Sequence, residues 1–243
     1  PCELYEETKD SNVLIQIKDL VLVLCEQINS FPLSTSLYNG ITGVGFIFKL
    51  LPSDLDLDFI DQTLEDINEK LYYQVESTKN INIDVINGLA GINFYLMLYN
   101  FDDHKIARLR KSLISKTESI LVNWLRYDYS EEKPFKQAVN LGVSHGVPGL
   151  ILSYINLKPK GKDVFIKSLM DKLDSFVVYN EELPYLPNVI GEPNRARLAW
   201  CYGNLGYALV KLAYHRNYQN IDSQVNAIVK SILQQYKEGN DGI

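Results

Sequence analysis

Pairs of glycines three residues apart recur four times along this chain, each just ahead of an apolar run. The pairs are Gly40 and Gly43, Gly88 and Gly91, Gly146 and Gly149, and Gly203 and Gly206. The second glycines of successive pairs are 48, 58 and 57 residues apart. A unit that recurs at such intervals is the signature of a repeat architecture, in which neighbouring units bury each other's apolar faces. The chain is therefore predicted to fold as an array of similar helical units.

Two kinds of helix alternate in this array. The runs after the glycine pairs are apolar most of the way round, which is typical of buried helices, whereas the segments between them carry one apolar stripe. These amphipathic segments are 13–28, 54–73, 106–125, 165–176 and 225–236. An inner layer wrapped by an outer layer predicts an all-α fold, an α/α toroid, as one domain over residues 1–243. In the first amphipathic segment the apolar face is predicted at positions 17, 20, 24 and 28, and 180–194 is predicted to be a long loop.

Composition excludes several classes of function. The net charge is −6 without a basic stripe, which argues against a nucleic-acid partner. The sequence contains no run of eighteen apolar residues, which is about the length that a membrane-spanning helix needs. Three cysteines without regular spacing argue against a disulfide framework and predict a cytoplasmic protein. Since the chain begins at Pro1 and its first methionine is Met97, we expect a fragment that is open at its N-terminus.

The stretch from Arg197 to Gly206 concentrates reactive side chains. It contains an arginine, a tryptophan, a cysteine and a tyrosine within ten residues, and an apolar run follows. A thiol at the N-terminus of a helix tends to ionise, and the thiolate is the form that binds metals. Cys201 is therefore a candidate functional residue, with a buried structural cysteine as the alternative.

The motifs ahead of the glycine pairs resemble those of one family. Asp84 precedes the second pair, Ser144-His145-Gly146 opens the third, and Arg197 precedes Trp200-Cys201-Tyr202-Gly203. Together they resemble the lanthionine cyclase family, the LanC-like proteins, from about Tyr38 to the end of the chain.

The resemblance implies a toroid of seven double-helix repeats with zinc near its centre. It also implies a reaction, the addition of peptide cysteine thiols to dehydroalanine or dehydrobutyrine, which closes thioether rings in bacterial lantibiotic-type peptides. The implied partners are a dehydrated precursor peptide, and the dehydratase and transporter of the same pathway.

The resemblance also implies roles for five residues. Cys201 matches the first zinc ligand, and His145 matches the catalytic histidine that handles the proton at the enolate carbon. Asp84 matches an active-site acid, while Arg197 and Tyr202 match residues that flank the reacting groups. These roles are chemically consistent, because zinc holds a thiol as thiolate, an arginine stabilises an enolate, and a histidine transfers protons near neutral pH.

One part of the family pattern is missing. The family's later Cys-His-Gly zinc motif does not occur in these 243 residues, and one thiolate is fewer than the three protein ligands of a catalytic zinc. About four of the seven repeats are present. We therefore expect that the chain stops just before the fifth repeat, that it is inactive alone, and that it exposes surface of its inner helices.

Other interpretations remain open for the single residues and for the whole chain. His145 could be a loop histidine, Asp84 a helix cap, Arg197 a surface ion-pair partner and Tyr202 a packing residue. The chain could be a non-catalytic LanC-like module that binds a peptide or thiol. It could also be a toroid enzyme acting on sugars through paired carboxylates, although its acidic doublets lie away from the glycine pairs.

Overall fold

The computed structural model describes residues 2–30, 33–100, 102–127, 139–180, 183–191, 198–218 and 223–239, and these residues contain ten α-helices, of which α3 to α10 form two layers. The helices are α1 (Cys2–Thr8), α2 (Ser11–Ser30), α3 (Ile41–Lys49), α4 (Ile60–Ser77), α5 (Leu89–Leu96), α6 (Ala107–Arg126), α7 (Val147–Asn156), α8 (Asp163–Asp174), α9 (Gly203–Tyr218) and α10 (Ser223–Lys237). A 3-10 helix (His104–Ile106) precedes α6, and strands β1 (Val178–Asn180) and β2 (Leu183–Tyr185) form a hairpin between α8 and α9.

The contacts between helices define the layers. The helices that follow the glycine pairs touch in chain order, α3 with α5, α5 with α7 and α7 with α9. A second row, in which α4 contacts α6 and α6 contacts α8, lies against the first. Each inner helix also contacts the outer helix that follows it in the sequence. The predicted all-α double layer is confirmed, with four double-helix repeats in an open arc.

Two details differ from the sequence-based expectation. On α2 the predicted buried position Leu20 is 60% exposed, and the neighbouring Val21 is buried instead. Steps of four and three residues from Ile17 through Val21 to Leu24 keep one helix face, whereas Leu20 points away from it. The acidic start of the 54–73 segment also lies outside the helix, because α4 begins only at Ile60.

The predicted loop 180–194 contains part of the hairpin. Val178 pairs with Tyr185, and β2 packs against α10 with Tyr185 and Leu186 buried. Three-residue strands carry too little apolar alternation to be predicted from sequence. Residues 181–182 and 192–194 lie outside the described residues.

Within the inner row, large apolar side chains are exposed on the first and last helices. Helices α5 and α7 are buried over most of their length. By contrast, Ile47 on α3 and Leu209 and Leu212 on α9 are exposed. The expected exposure of inner-helix surface is therefore found at the two ends of the arc, where the helix has an inner neighbour on one side only.

In the first three pairs, the first glycine lets the loop pack closely against the helix start. Gly88 is the N-cap of α5, and a Cβ there would overlap the carbonyl oxygen of Asn82. That carbonyl accepts a hydrogen bond from the backbone N–H of Leu89 at 2.7 Å. Gly40 and Gly146 have the same relationship to the residues six positions earlier. The glycines are needed because backbone occupies the space of a side chain.

The second glycine of a pair makes room for its own loop and for the preceding repeat. A Cβ at Gly149 would overlap the carbonyl oxygen of Val143 in its own loop. A Cβ at Gly149 would lie 3.0 Å from Cγ2 of Val85, and a Cβ at Gly206 would lie 2.8 Å from Cγ2 of Val143. Val85 and Val143 hold the same place in successive repeats. These glycines thus permit close packing both within a loop and between neighbouring repeats.

Candidate functional site

The loops ahead of the inner helices form one rim through backbone hydrogen bonds. The N–H of Leu37 donates to the carbonyl of Ile86 at 3.1 Å, and that of Val85 donates to Ser144 at 2.8 Å. The N–H of Ser144 donates in turn to the carbonyl of Cys201 at 3.4 Å. Since each loop is bonded to the next, the predicted site residues of three repeats lie at the same end of the helical arc.

Asp84 and His145 meet on this rim. Nδ1 of His145 lies 3.3 Å from Oδ2 of Asp84, whose side chain is 10% exposed, while that of His145 is 43% exposed. The other oxygen of Asp84 accepts from the N–H of Asn87 at 2.5 Å. Because α5 is capped by Gly88 without a side-chain bond, Asp84 is not its helix cap. Asp84 shapes its loop with one oxygen and presents the other to His145.

Tyr202 is the second neighbour of His145. Its ring centroid lies 6.3 Å from that of His145, with the planes inclined at 41°. Its hydroxyl oxygen accepts from Nδ2 of Asn140 at 3.3 Å. The ring also lies close to Gly142, where a Cβ would come within 2.6 Å of it. An accepting hydroxyl keeps its own proton for donation, so Tyr202 can still donate to an oxygen that approaches the rim.

Cys201 lies two residues before the start of α9, as expected. It is half-buried, forms no disulfide, and is joined to the third loop through its carbonyl and Ser144. The hydroxyl of Ser144 is buried and has no hydrogen-bond partner among the described residues. Arg197, the remaining predicted site residue, lies outside the described residues.

The residues near Cys201 do not make a zinc site by themselves. Within the described ranges, no three histidine, cysteine, aspartate or glutamate residues are grouped so that they could hold a metal ion. Asp84 and His145 are hydrogen-bonded to each other, and one thiol is fewer than the three protein ligands of a catalytic zinc. The donor set on the rim is therefore incomplete for the predicted metal.

Two asparagines on the rim were missed in the sequence. Nδ2 of Asn82 donates to Oδ2 of Asp84 at 3.2 Å, and Nδ2 of Asn140 donates to Tyr202. Both residues lie six positions before the first glycine of their pair, which shows that they are equivalent but does not by itself mark them as site residues.

Among the helices in the described parts of the chain, none is both long enough and apolar enough to cross a bilayer.

A double layer of helices whose glycine-containing loops form a shared polar rim defines the class of α/α-toroid proteins. The chain belongs to the lanthionine synthetase C-like family, whose family model matches residues 2–243. It is similar to the nisin biosynthesis protein NisC of Lactococcus lactis subsp. lactis, with 27% identity over 85% of this chain. It covers only 58% of the length of that relative.

A solved structure has the same fold. A nisin cyclase superposes on the whole of this chain with a TM-score of 0.71 at 21% sequence identity, and 68% of that chain is covered. The predicted α/α toroid, present here as a partial barrel, is thereby confirmed.

Proposed function

We propose that this protein is the cyclase component of a lanthionine synthetase, which adds peptide cysteine thiols to dehydroalanine or dehydrobutyrine. The contact between Asp84 and His145 on the rim carries this proposal. Family membership and the likeness to NisC and to a nisin cyclase support it. The substrate would be a dehydrated precursor peptide, and the dehydratase and transporter of its pathway would be further partners.

The reaction needs a group that moves a proton from sulfur to carbon. The thiol sulfur forms a bond to Cβ of the dehydro residue, the double-bond electrons move onto the carbonyl oxygen, and Cα finally takes a proton. An ionised carboxylate only accepts hydrogen bonds, so Asp84 favours a proton on Nδ1 of His145 and leaves Nε2 available. Nε2 takes the thiol proton and then returns it to Cα, so the ring ends in its starting state.

Asp84 assists while the proton is held. Between the two transfers His145 is an imidazolium, and the neighbouring carboxylate stabilises that charge. A distance of 3.3 Å is long for a hydrogen bond, and such contacts commonly tighten when substrate excludes water.

The enolate needs a hydrogen-bond donor. Tyr202 can supply its hydroxyl proton, because the oxygen of that hydroxyl is held by Asn140. Arg197 is proposed to stabilise the same charge. Cys201 is proposed to be one zinc ligand, with the remaining ligands outside the described residues; bound zinc would stabilise the thiolate that forms when the substrate thiol gives its proton to His145. We also propose a cytoplasmic location, which its free cysteines support.

Ring formation can be measured by counting free thiols. Addition leaves the peptide mass unchanged, so a dehydrated lantibiotic-type precursor with its leader is incubated with the full-length protein and alkylated with N-ethylmaleimide. Each closed ring removes one alkylation, which mass spectrometry detects. We expect time-dependent loss of alkylation with the wild-type protein. Tight binding of the peptide with a constant thiol count would reject the cyclase and identify a non-catalytic binding module.

A further inference from the structure

The two rim asparagines hold equivalent places in successive repeats. Their side-chain oxygens make the same local contact, since each accepts a hydrogen bond from the backbone N–H two residues later. Oδ1 of Asn82 accepts from Asp84 at 3.1 Å, and Oδ1 of Asn140 accepts from Gly142 at 2.7 Å. This bond shapes the loop, and it uses only one half of the amide group.

The other half of each amide faces the candidate site. Nδ2 of Asn82 donates to the Asp84 oxygen that also contacts His145, at 3.2 Å. Nδ2 of Asn140 donates across the repeat boundary to the hydroxyl of Tyr202 at 3.3 Å. The two neighbours of the His145 ring are thus each held by an asparagine of the same repeat position.

The first repeat shows that the loop does not require an asparagine. Ser34 holds the equivalent place, and its Oγ accepts from the N–H of Ser36 at 3.3 Å. The carbonyl of Ser34 also accepts from the N–H of Ile41, just as that of Asn82 accepts from Leu89. A hydroxyl therefore suffices for the turn, and the NH₂ group is an addition found in the second and third repeats, whose loops carry Asp84 and His145.

We propose that Asn82 and Asn140 are positioning residues, which hold Asp84 and Tyr202 against His145 through their NH₂ groups. The effect on turnover rests on the proposed cyclase function. The orienting effect itself does not, because it is a property of the rim in the absence of substrate. A carboxylate fixed at one oxygen by Asn87 alone can rotate away from the imidazole, and the donation from Asn82 to the other oxygen opposes this rotation.

The first repeat supplies the substitutions for the test. Asn82→Ser and Asn140→Ser keep a turn acceptor of the kind found at Ser34 and remove only the NH₂ donor. Ser34→Ala is the matched control, because it removes a turn acceptor from a loop that does not contribute to the His145 contacts. Thermal unfolding of all three variants measures any loss of stability caused by the altered turn.

Two spectroscopic signals decide the orienting roles in the full-length protein. For Asn82, the ¹⁵N shifts of the His145 ring report the fraction of the Nδ1–H tautomer. We expect this fraction to fall in Asn82→Ser and to stay constant in Ser34→Ala. For Asn140, we expect the ring resonances of Tyr202 to shift in Asn140→Ser and not in the control. A residue whose variant leaves its signal at the control value has no positioning role.

Kinetics tests the consequence for turnover. Loss of a supporting hydrogen bond is expected to lower kcat about 10-fold, by analogy with groups that orient the ligands of a metal site, with KM unchanged. An equal fall in Ser34→Ala would overturn the proposal and indicate general loosening of the rim. If the wild-type protein closes no rings, the cyclase function is rejected, and the ¹⁵N and tyrosine signals still decide the positioning roles.

Discussion

Nδ1 of His145 lies 3.3 Å from Oδ2 of Asp84, although the two residues hold different places in neighbouring repeats. Counted from the glycine pairs, Asp84 matches Gly142, and Asn87 matches His145. The contact forms because the N–H of Val85 bonds to the carbonyl of Ser144 and fixes one loop beside the next. Because Gly142 has no side chain, it leaves room for the ring of Tyr202, which approaches from the following repeat.

Replacement of His145 tests the proton-transfer role. We expect His145→Ala to lower kcat for ring closure about 10²- to 10⁴-fold, the usual contribution of a general acid–base group. The measurement is the rate at which alkylatable thiols disappear from a dehydrated precursor peptide. His104→Ala is the control, because His104 is exposed on the 3-10 helix before α6. A His145→Ala rate within twofold of the control would contradict the role.

Replacement of Gly149 tests the close packing at the start of α7. Gly149→Ala introduces a Cβ that overlaps the carbonyl of Val143 and crowds Val85, so we expect a loss of about 3 kcal/mol in the free energy of unfolding. Gly161→Ala is the comparison, since Gly161 has a φ of +69° and no atom near its Cβ position. It should lose only about 1 kcal/mol from backbone strain. Equal losses of unfolding free energy in urea would show that the close approach at Gly149 does not destabilise the variant beyond the effect of backbone strain.

Cys201→Ala tests the proposed metal ligand. We expect the zinc content of the full-length protein to fall to background in this variant, because a catalytic zinc is held by only three protein ligands and the loss of one weakens binding strongly. Inductively coupled plasma mass spectrometry measures this content. Cys25→Ala should retain wild-type zinc, since Cys25 lies on α2 rather than on the rim. Unchanged zinc in Cys201→Ala would remove Cys201 from the ligand set.

A buried ion pair between α8 and α9 predicts unequal effects of its two partners. Nζ of Lys211, with only 2% of its side chain exposed, lies 2.6 Å from Oδ2 of Asp174. Asp174→Ala removes the carboxylate beside a buried ammonium group and also the acceptor of the Tyr207 hydroxyl, so it should cost about 3–5 kcal/mol of unfolding free energy. Lys211→Met leaves a carboxylate that is partly exposed and still bonded to Tyr207, so about 1–2 kcal/mol is expected. The reverse order in chemical denaturation would refute this explanation.

Cys25 should react slowly with thiol reagents. Burial raises the pKa of its thiol above the ordinary value, so the thiolate fraction at a given pH is smaller than in an unfolded chain. We expect iodoacetamide to modify Cys25 more slowly in the native protein than in urea at the same pH, with the native rate still rising at pH values where the unfolded rate has levelled off. Superimposable pH profiles in the two states would disprove the shift.

Much of the site could be predicted because its residues stand at fixed distances from the glycine pairs. Cys201 and Tyr202 lie directly ahead of α9, and His145 lies directly ahead of the Gly146 cap, as the repeat indicated. Asn82 and Asn140 could not be predicted as site residues, because an asparagine in a loop usually serves its own turn. Only the direction of their second amide atom distinguishes them.

The sequence by itself determined the layered fold, because a helix that is apolar all round has to be enclosed and a helix with one apolar stripe has to cover it. It also determined the loops, since each close approach of carbonyl and helix start demands a glycine. Tertiary structure alone decided which polar groups meet. Asp84 and His145 are 61 positions apart in the sequence. Their contact depends on hydrogen bonds between adjacent loops, and the relative position of those loops is set by helix packing rather than by any local sequence pattern.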